Sequence, residues 1–142
     1  MISARSRTVL GLALLATTAL AGLAGAAEMP AFRTGIWEYE RTLGSSKFVA
    51  KECGNPSQEM RSHNASLEKL GCKLSPLTQQ GSTYTFTSEC AIKLPSGVSS
   101  SSATSIITAD SDDAYRLELR ETNRGVTSEE IIVAHRVADC VP

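Results

Sequence analysis

Residues 83–93 read Thr-Tyr-Thr-Phe-Thr-Ser-Glu-Cys-Ala-Ile-Lys. The alternation places Tyr84, Phe86, Ser88, Cys90 and Ile92 on one side and Thr83, Thr85, Thr87, Glu89 and Lys93 on the other, the period of a half-buried β-strand. A strand with one apolar face must bury it, so the fold is a sheet packed on something else. Gln79-Gln80-Gly81-Ser82 just upstream is a turn, with Gly81 free to take positive φ. A hairpin pivoting near Gly81 brings Cys72 opposite Cys90, at a cross-strand separation of about 4.5–5.5 Å that a disulfide can bridge.

Downstream, Leu94-Pro95-Ser96-Gly97 turns the chain into a serine-rich strand, 98–109, that becomes apolar at Ile106 and Ile107. Asp110–Asp113 is a turn, and 114–122 alternates Tyr115, Leu117 and Leu119 against Arg116, Glu118 and Arg120. Asn123-Arg124-Gly125 turns into a last strand, 126–137, with Ile131, Val133 and Val137 as its expected inward set. Upstream, Gly35–Leu43 is a strand carrying Trp37 and Tyr39 on one face, and 47–53 is its partner across Gly44-Ser45-Ser46. Asn55-Pro56 supplies an N-cap and an N1 proline, and Met60, His63, Leu67 and Leu70 follow at helical spacing, which predicts a helix over 56–70. With a short strand at Cys72-Lys73-Leu74 before the Gly81 turn, seven strands and one helix make an α+β domain, a curved antiparallel meander packed on one α-helix, either open or closed part-way into a barrel. Its expected core is Trp37, Tyr84, Phe86, Leu117 and Leu119.

The four cysteines, Cys53, Cys72, Cys90 and Cys140, have no Cys-x-x-Cys pair and no finger-like histidine spacing, so two structural disulfides are expected rather than a metal site or a redox dithiol. Hairpin register favours Cys72 with Cys90, leaving Cys53 for Cys140. Cys53 with Cys72 and Cys90 with Cys140 remains the competing pairing.

Disulfides need an oxidising compartment, and the N-terminus supplies the route. Arg5 and Arg7 precede an apolar stretch over 8–24, no acid occurs before Glu28, and Ala24-Gly25-Ala26 has the small residues a signal peptidase reads. Residues 1–26 are therefore expected to be a secretory signal peptide and 27–142 a single disulfide-stabilised domain, periplasmic or secreted. Contact with the membrane is expected only through that leader before cleavage. The whole chain carries 14 Lys plus Arg against 15 Asp plus Glu. Losing Arg5 and Arg7 leaves 12 basic side chains and a formal charge of −3, so overall electrostatics imply no nucleic-acid partner.

The ends of the domain carry a resemblance. Thr34-Gly35-Ile36-Trp37-Glu38 resembles the Pro-Gly-Leu-Trp-Glu opening of a family of small exported bacterial proteins, domain of unknown function 3617. His135-Arg136-Val137-Ala138-Asp139-Cys140 resembles that family's Arg-x-Gly-Asp-Cys closing. The interior cysteines also fall where the family tends to have them, so the resemblance spans roughly residues 33 to 140, with Thr34 in place of Pro and Ala138 in place of Gly. It implies a periplasmic location and carries no established activity.

Chemistry-bearing residues are sparse. His135 has Glu129 and Glu130 near it in sequence, but Glu129 is six residues away, about 20 Å along a strand, so a base with that carboxylate does not assemble locally. No Gly-x-Ser-x-Gly elbow or glycine-rich phosphate loop is present, and no cofactor is expected. The reading is a non-enzymatic domain binding an envelope component or a small apolar ligand, with Trp37, Tyr39, Tyr84 and Phe86 as candidate ligand-face aromatics. A structural or protein-interaction module and a hydrolase using His135 are the alternatives.

Overall fold

The computed structural model describes residues 26–141, so residues 1–25 of the expected leader lie outside the described residues. The elements run β1 (Gly35–Leu43), β2 (Ser46–Gly54), α1 (Pro56–Lys69), β3 (Lys73–Leu74), β4 (Thr78–Gln80), β5 (Thr83–Leu94), β6 (Gly97–Ser111), β7 (Ala114–Asn123) and β8 (Val126–Ala138). All pairings are antiparallel, and the order across the sheet is β2-β1-β8-β7-β6-β5-β3, with β4 also on β5. The sheet is open: β2 closes one edge, and β3 with β4 partly cover the other.

Two expectations about the sheet's topology change. Among the described residues the strand count is eight rather than seven, because Thr78–Gln80 pairs with Thr85–Thr83 through the two-residue loop Gly81-Ser82. Thr-Gln-Gln has no apolar residue, so nothing in its pattern marks a strand; only the neighbouring ladder makes it one. The order also departs from a simple meander. β1 lies between β2 and β8, so β2 and β3, which flank α1 in sequence, stand at opposite edges. Segment 55–72, with α1 in it, therefore carries the chain from one edge of the sheet to the other.

Local chemistry sets the turns and the cap. Arg124 and Gly125 both have positive φ, 50° and 80°, in the two-residue loop closing Asn123 on Val126, as a type I′ hairpin requires. Asn55 Oδ1 accepts the backbone N–H of Gln58 at 3.1 Å, and Pro56 fills the first helical position.

The core is one aromatic-rich cluster of Phe32, Trp37, Ile107, Tyr115 and Ala134, with Met60, Tyr84, Phe86 and Leu117 packed against it. Phe32 stacks on Tyr115 at 4.7 Å and meets Trp37 edge-on at 5.9 Å. Its backbone N–H donates to Ser57 Oγ at 2.7 Å, and that hydroxyl donates to Pro30 O at 2.7 Å, which pins the segment before β1 to the first turn of α1. On β8 the inward residues are Ile132 and Ala134, not Ile131, Val133 and Val137. Apolar residues occupy both parities there, so alternation does not choose. The register does: Ala134 pairs with Tyr39 on β1 and with Tyr115 on β7 and is buried in the core.

Both expected disulfides of the favoured pairing form. Cys72–Cys90 extends the β3–β5 ladder by one position, at a Cα separation of 4.1 Å. Cys53–Cys140, at 5.5 Å, ties the end of β2 to the chain just beyond β8.

Candidate functional site

A cavity of about 240 Å³ lies between α1 and the sheet. Its sheet side is Phe86 of β5, Ser105 and Ile107 of β6, and Tyr115, Leu117 and Leu119 of β7. Its helix side is Pro56, Glu59, Met60, His63 and Asn64, positions that recur at three- and four-residue spacing. The sequence explains why the gap stays open. Opposite an apolar floor, this helix face offers one long apolar side chain, Met60, while Glu59 and His63 stay exposed to water and do not fill an apolar space. Leu67 continues the stripe half-buried, whereas Leu70, beyond the last helical residue, is 60% exposed.

The candidate aromatics fall into different places. Trp37 is completely buried, donates from Nε1 to Arg33 O at 3.0 Å and belongs to the core. Tyr39 and Tyr84 pack against that core, and Phe86 lines the cavity. The Tyr39 hydroxyl is buried without a hydrogen-bond partner among the described residues. Burial pushes it up to about 12, with the charges of Glu59 and Glu52 adding to the effect; Glu59 acts through its charge without completing a hydrogen bond. Tyr115 is raised too, by burial first and then by Tyr39 and Glu59.

His135 stands on the opposite face of the sheet, directly across from Glu38, with Nε2 3.6 Å from Glu38 Oε1. Its carboxylate neighbour is thus neither Glu129, which pairs with Arg120, nor Glu130, which pairs with Arg41. Glu38 is shared with Lys51 at 2.9 Å, and that hydrogen-bonding ammonium holds its carboxyl below the usual range against a smaller opposing effect of desolvation. The histidine side chain is 52% exposed. Sequence spacing could not reveal this pair, because the contact exists only through the β1–β8 ladder.

The two end motifs meet at one corner. Arg136 donates from Nε to Thr34 O at 2.9 Å, pairs with Asp139 and lies 3.8 Å from Asp113 Oδ1. Gly35 makes room for it, since a Cβ there would run into the Arg136 guanidinium and stand 2.6 Å from Ala138 O. The Cys53–Cys140 bridge closes the same corner, whose residues join the first strand to the last. Among the described residues no group of three or more His, Cys, Asp or Glu could hold a metal ion.

A family model described as Protein of unknown function (DUF3617) matches residues 32–140. The chain belongs to this family. The match takes in the whole DUF3617 domain seen here, from Phe32 in the aromatic core to Cys140 in the corner disulfide. No curated protein and no solved structure matches the chain. With both disulfides formed, the domain is suited to an oxidising, non-cytoplasmic setting.

Proposed function

We propose that this is a periplasmic binding domain without catalytic activity, which takes a small apolar ligand, or the apolar end of a larger envelope component, into the space between α1 and a curved sheet. The apolar cavity of about 240 Å³ is the observation that carries the reading. At about 30 Å³ per water it equals roughly eight water volumes, below the usual range for drug-sized ligands, so the guest is a short acyl chain or a small ring. Glu59, His63 and Asn64 on the helix side would meet its polar end. The leader pattern and the two disulfides support the compartment.

Native mass spectrometry of the oxidised protein isolated gently from its own envelope, followed by lipid extraction, tests this. A reproducible adduct released into the organic phase is expected. Repeated recovery of empty protein would count against the proposal.

The Glu38–His135 pair keeps a hydrolase reading in view, since a carboxylate within 3.6 Å can orient an imidazole base. If ester hydrolysis is detected and His135→Ala abolishes it while both disulfides persist, the outer face is the working site. Activity unchanged by that substitution removes the reading.

A further inference from the structure

The β5–β6 hairpin outruns the sheet. The last β6–β7 pair is Ser101 with Asn123, so residues 91–100 project beyond it as two strands, about 13 Å for the four residues Ala91–Leu94. Its tip is apolar on both faces. Ile92 and Leu94, 37% and 45% exposed, share one face, and Val98, 64% exposed and paired with Lys93, stands on the other. The adjoining β7–β8 turn adds Val126, 72% exposed, beside Arg124.

Charge is separated along the molecule. Segments 91–100 and 122–128 contain Lys93 and Arg124 and no acid. Neither cation makes an ion pair among the described residues. The opposite end of the sheet carries Asp110, Asp112, Asp113 and Asp139, of which Asp113 pairs with Arg33 and Asp139 with Arg136. At the foot of the hairpin an open groove of about 560 Å³ is lined by Lys73, Arg124, Ser100, Ser101 and Ser102, and one acid, Glu89, which faces Lys73 across the β3–β5 ladder.

We infer that this end of the domain docks on an anionic phospholipid bilayer, with the tip of the β5–β6 hairpin inserted and the groove at its foot receiving lipid phosphates. A flat protein partner would bury one face of a projecting hairpin and leave the other wet. A lipid interface surrounds the tip and buries Ile92, Leu94 and Val98 together. The dimensions agree: each headgroup layer is about 5–8 Å thick, so a finger of about 13 Å reaches the acyl boundary while Lys73 and Arg124 stay at phosphate level. Cations near an anionic surface then add to apolar insertion.

Co-sedimentation of the purified oxidised protein with vesicles of phosphatidylglycerol and phosphatidylethanolamine, against vesicles of phosphatidylcholine, tests the inference. Binding to the anionic vesicles at low salt is expected, weakening at high salt. Replacing Lys73 and Arg124, the two cations held at phosphate level, by Gln should weaken it by about fivefold for each charge. Leu94→Asp with Val98→Asp should weaken it by at least about tenfold. The single tryptophan, Trp37, is buried far from the hairpin, so an unchanged emission maximum, with both disulfides mapped, shows that a variant is folded. Leu94→Ser with Val98→Ser serves if the aspartates disturb folding. Absence of wild-type binding, equal binding to phosphatidylcholine, or full binding by a folded tip variant would each overturn the inference; the last would also expose binding through a retained leader.

Discussion

Gly35 has no side chain because Arg136 and Ala138 O occupy the place where one would stand. Gly35→Ala should therefore destabilise the domain by about 1–3 kcal/mol through overpacking, read as a lower urea midpoint with an unchanged slope. Ser57 makes a second residue-scale claim. It is 3% exposed and its hydroxyl serves both Phe32 N–H and Pro30 O, so Ser57→Ala strands a buried donor and should cost about 1–3 kcal/mol. Tyr39 gives the pH dependence. Its folded pKa, about 12, lies above the unfolded value of about 10, so its contribution is complete below pH 10 and is lost as pH rises from about 10 towards 12. Denaturant midpoints measured across that window should fall for the wild type, and fall less for Tyr39→Phe. Neither Ser57 nor Phe32 was legible in the sequence. Phe32 is a lone aromatic in a stretch without periodicity, and its partners arrive from α1 and β7.

Elements were legible where they carried their own signal. The Asn55-Pro56 cap, the alternation in β5 and β7 and the Arg124-Gly125 turn each fix a local structure without help from the rest of the chain. β4 and the facing of β8 were not, because polar Thr78–Gln80 and the doubly apolar Ile131–Val133 take their assignments from neighbouring strands. The candidate cavity is also an element-scale outcome: the apolar stripe of α1 was visible, but that its polar neighbours face the same floor follows from how the helix lies. β2 forms one edge of the sheet with Phe48 and Val49 exposed, 58% and 64%. Lys47 and Lys51 on this strand guard it against pairing with other copies. Replacing both by Val should raise aggregation of the refolding protein, measured by light scattering, with little change in the folded state's stability.

At the scale of the whole molecule, two covalent ties hold a small core. Cys53–Cys140 spans 87 residues and Cys72–Cys90 spans 18, so chain entropy assigns them about 4.5 and 3 kcal/mol. Replacing Cys53 and Cys140 by Ala should lower stability more than replacing Cys72 and Cys90, in denaturant titrations of the two variants. Net charge, by contrast, concealed more than it told: the whole chain's formal −1 gives no sign that one end holds the acid-free segments 91–100 and 122–128, and only the strand order shows which turns share an end.

The proposed binding site is the space between α1 and the sheet, and Ser105 is the small residue on its floor, between Phe86 and Leu119. Ser105→Leu fills that space with a side chain. The decisive measurement is a fluorescence titration of wild type and Ser105→Leu with N-phenyl-1-naphthylamine, alongside their denaturant stabilities. The expected result is probe binding by the wild type, at least about tenfold weaker binding by the variant, and a variant more stable by about 0.5–2 kcal/mol. A wild type that leaves the probe dark, or a folded Ser105→Leu that binds it as the wild type does, would contradict the account.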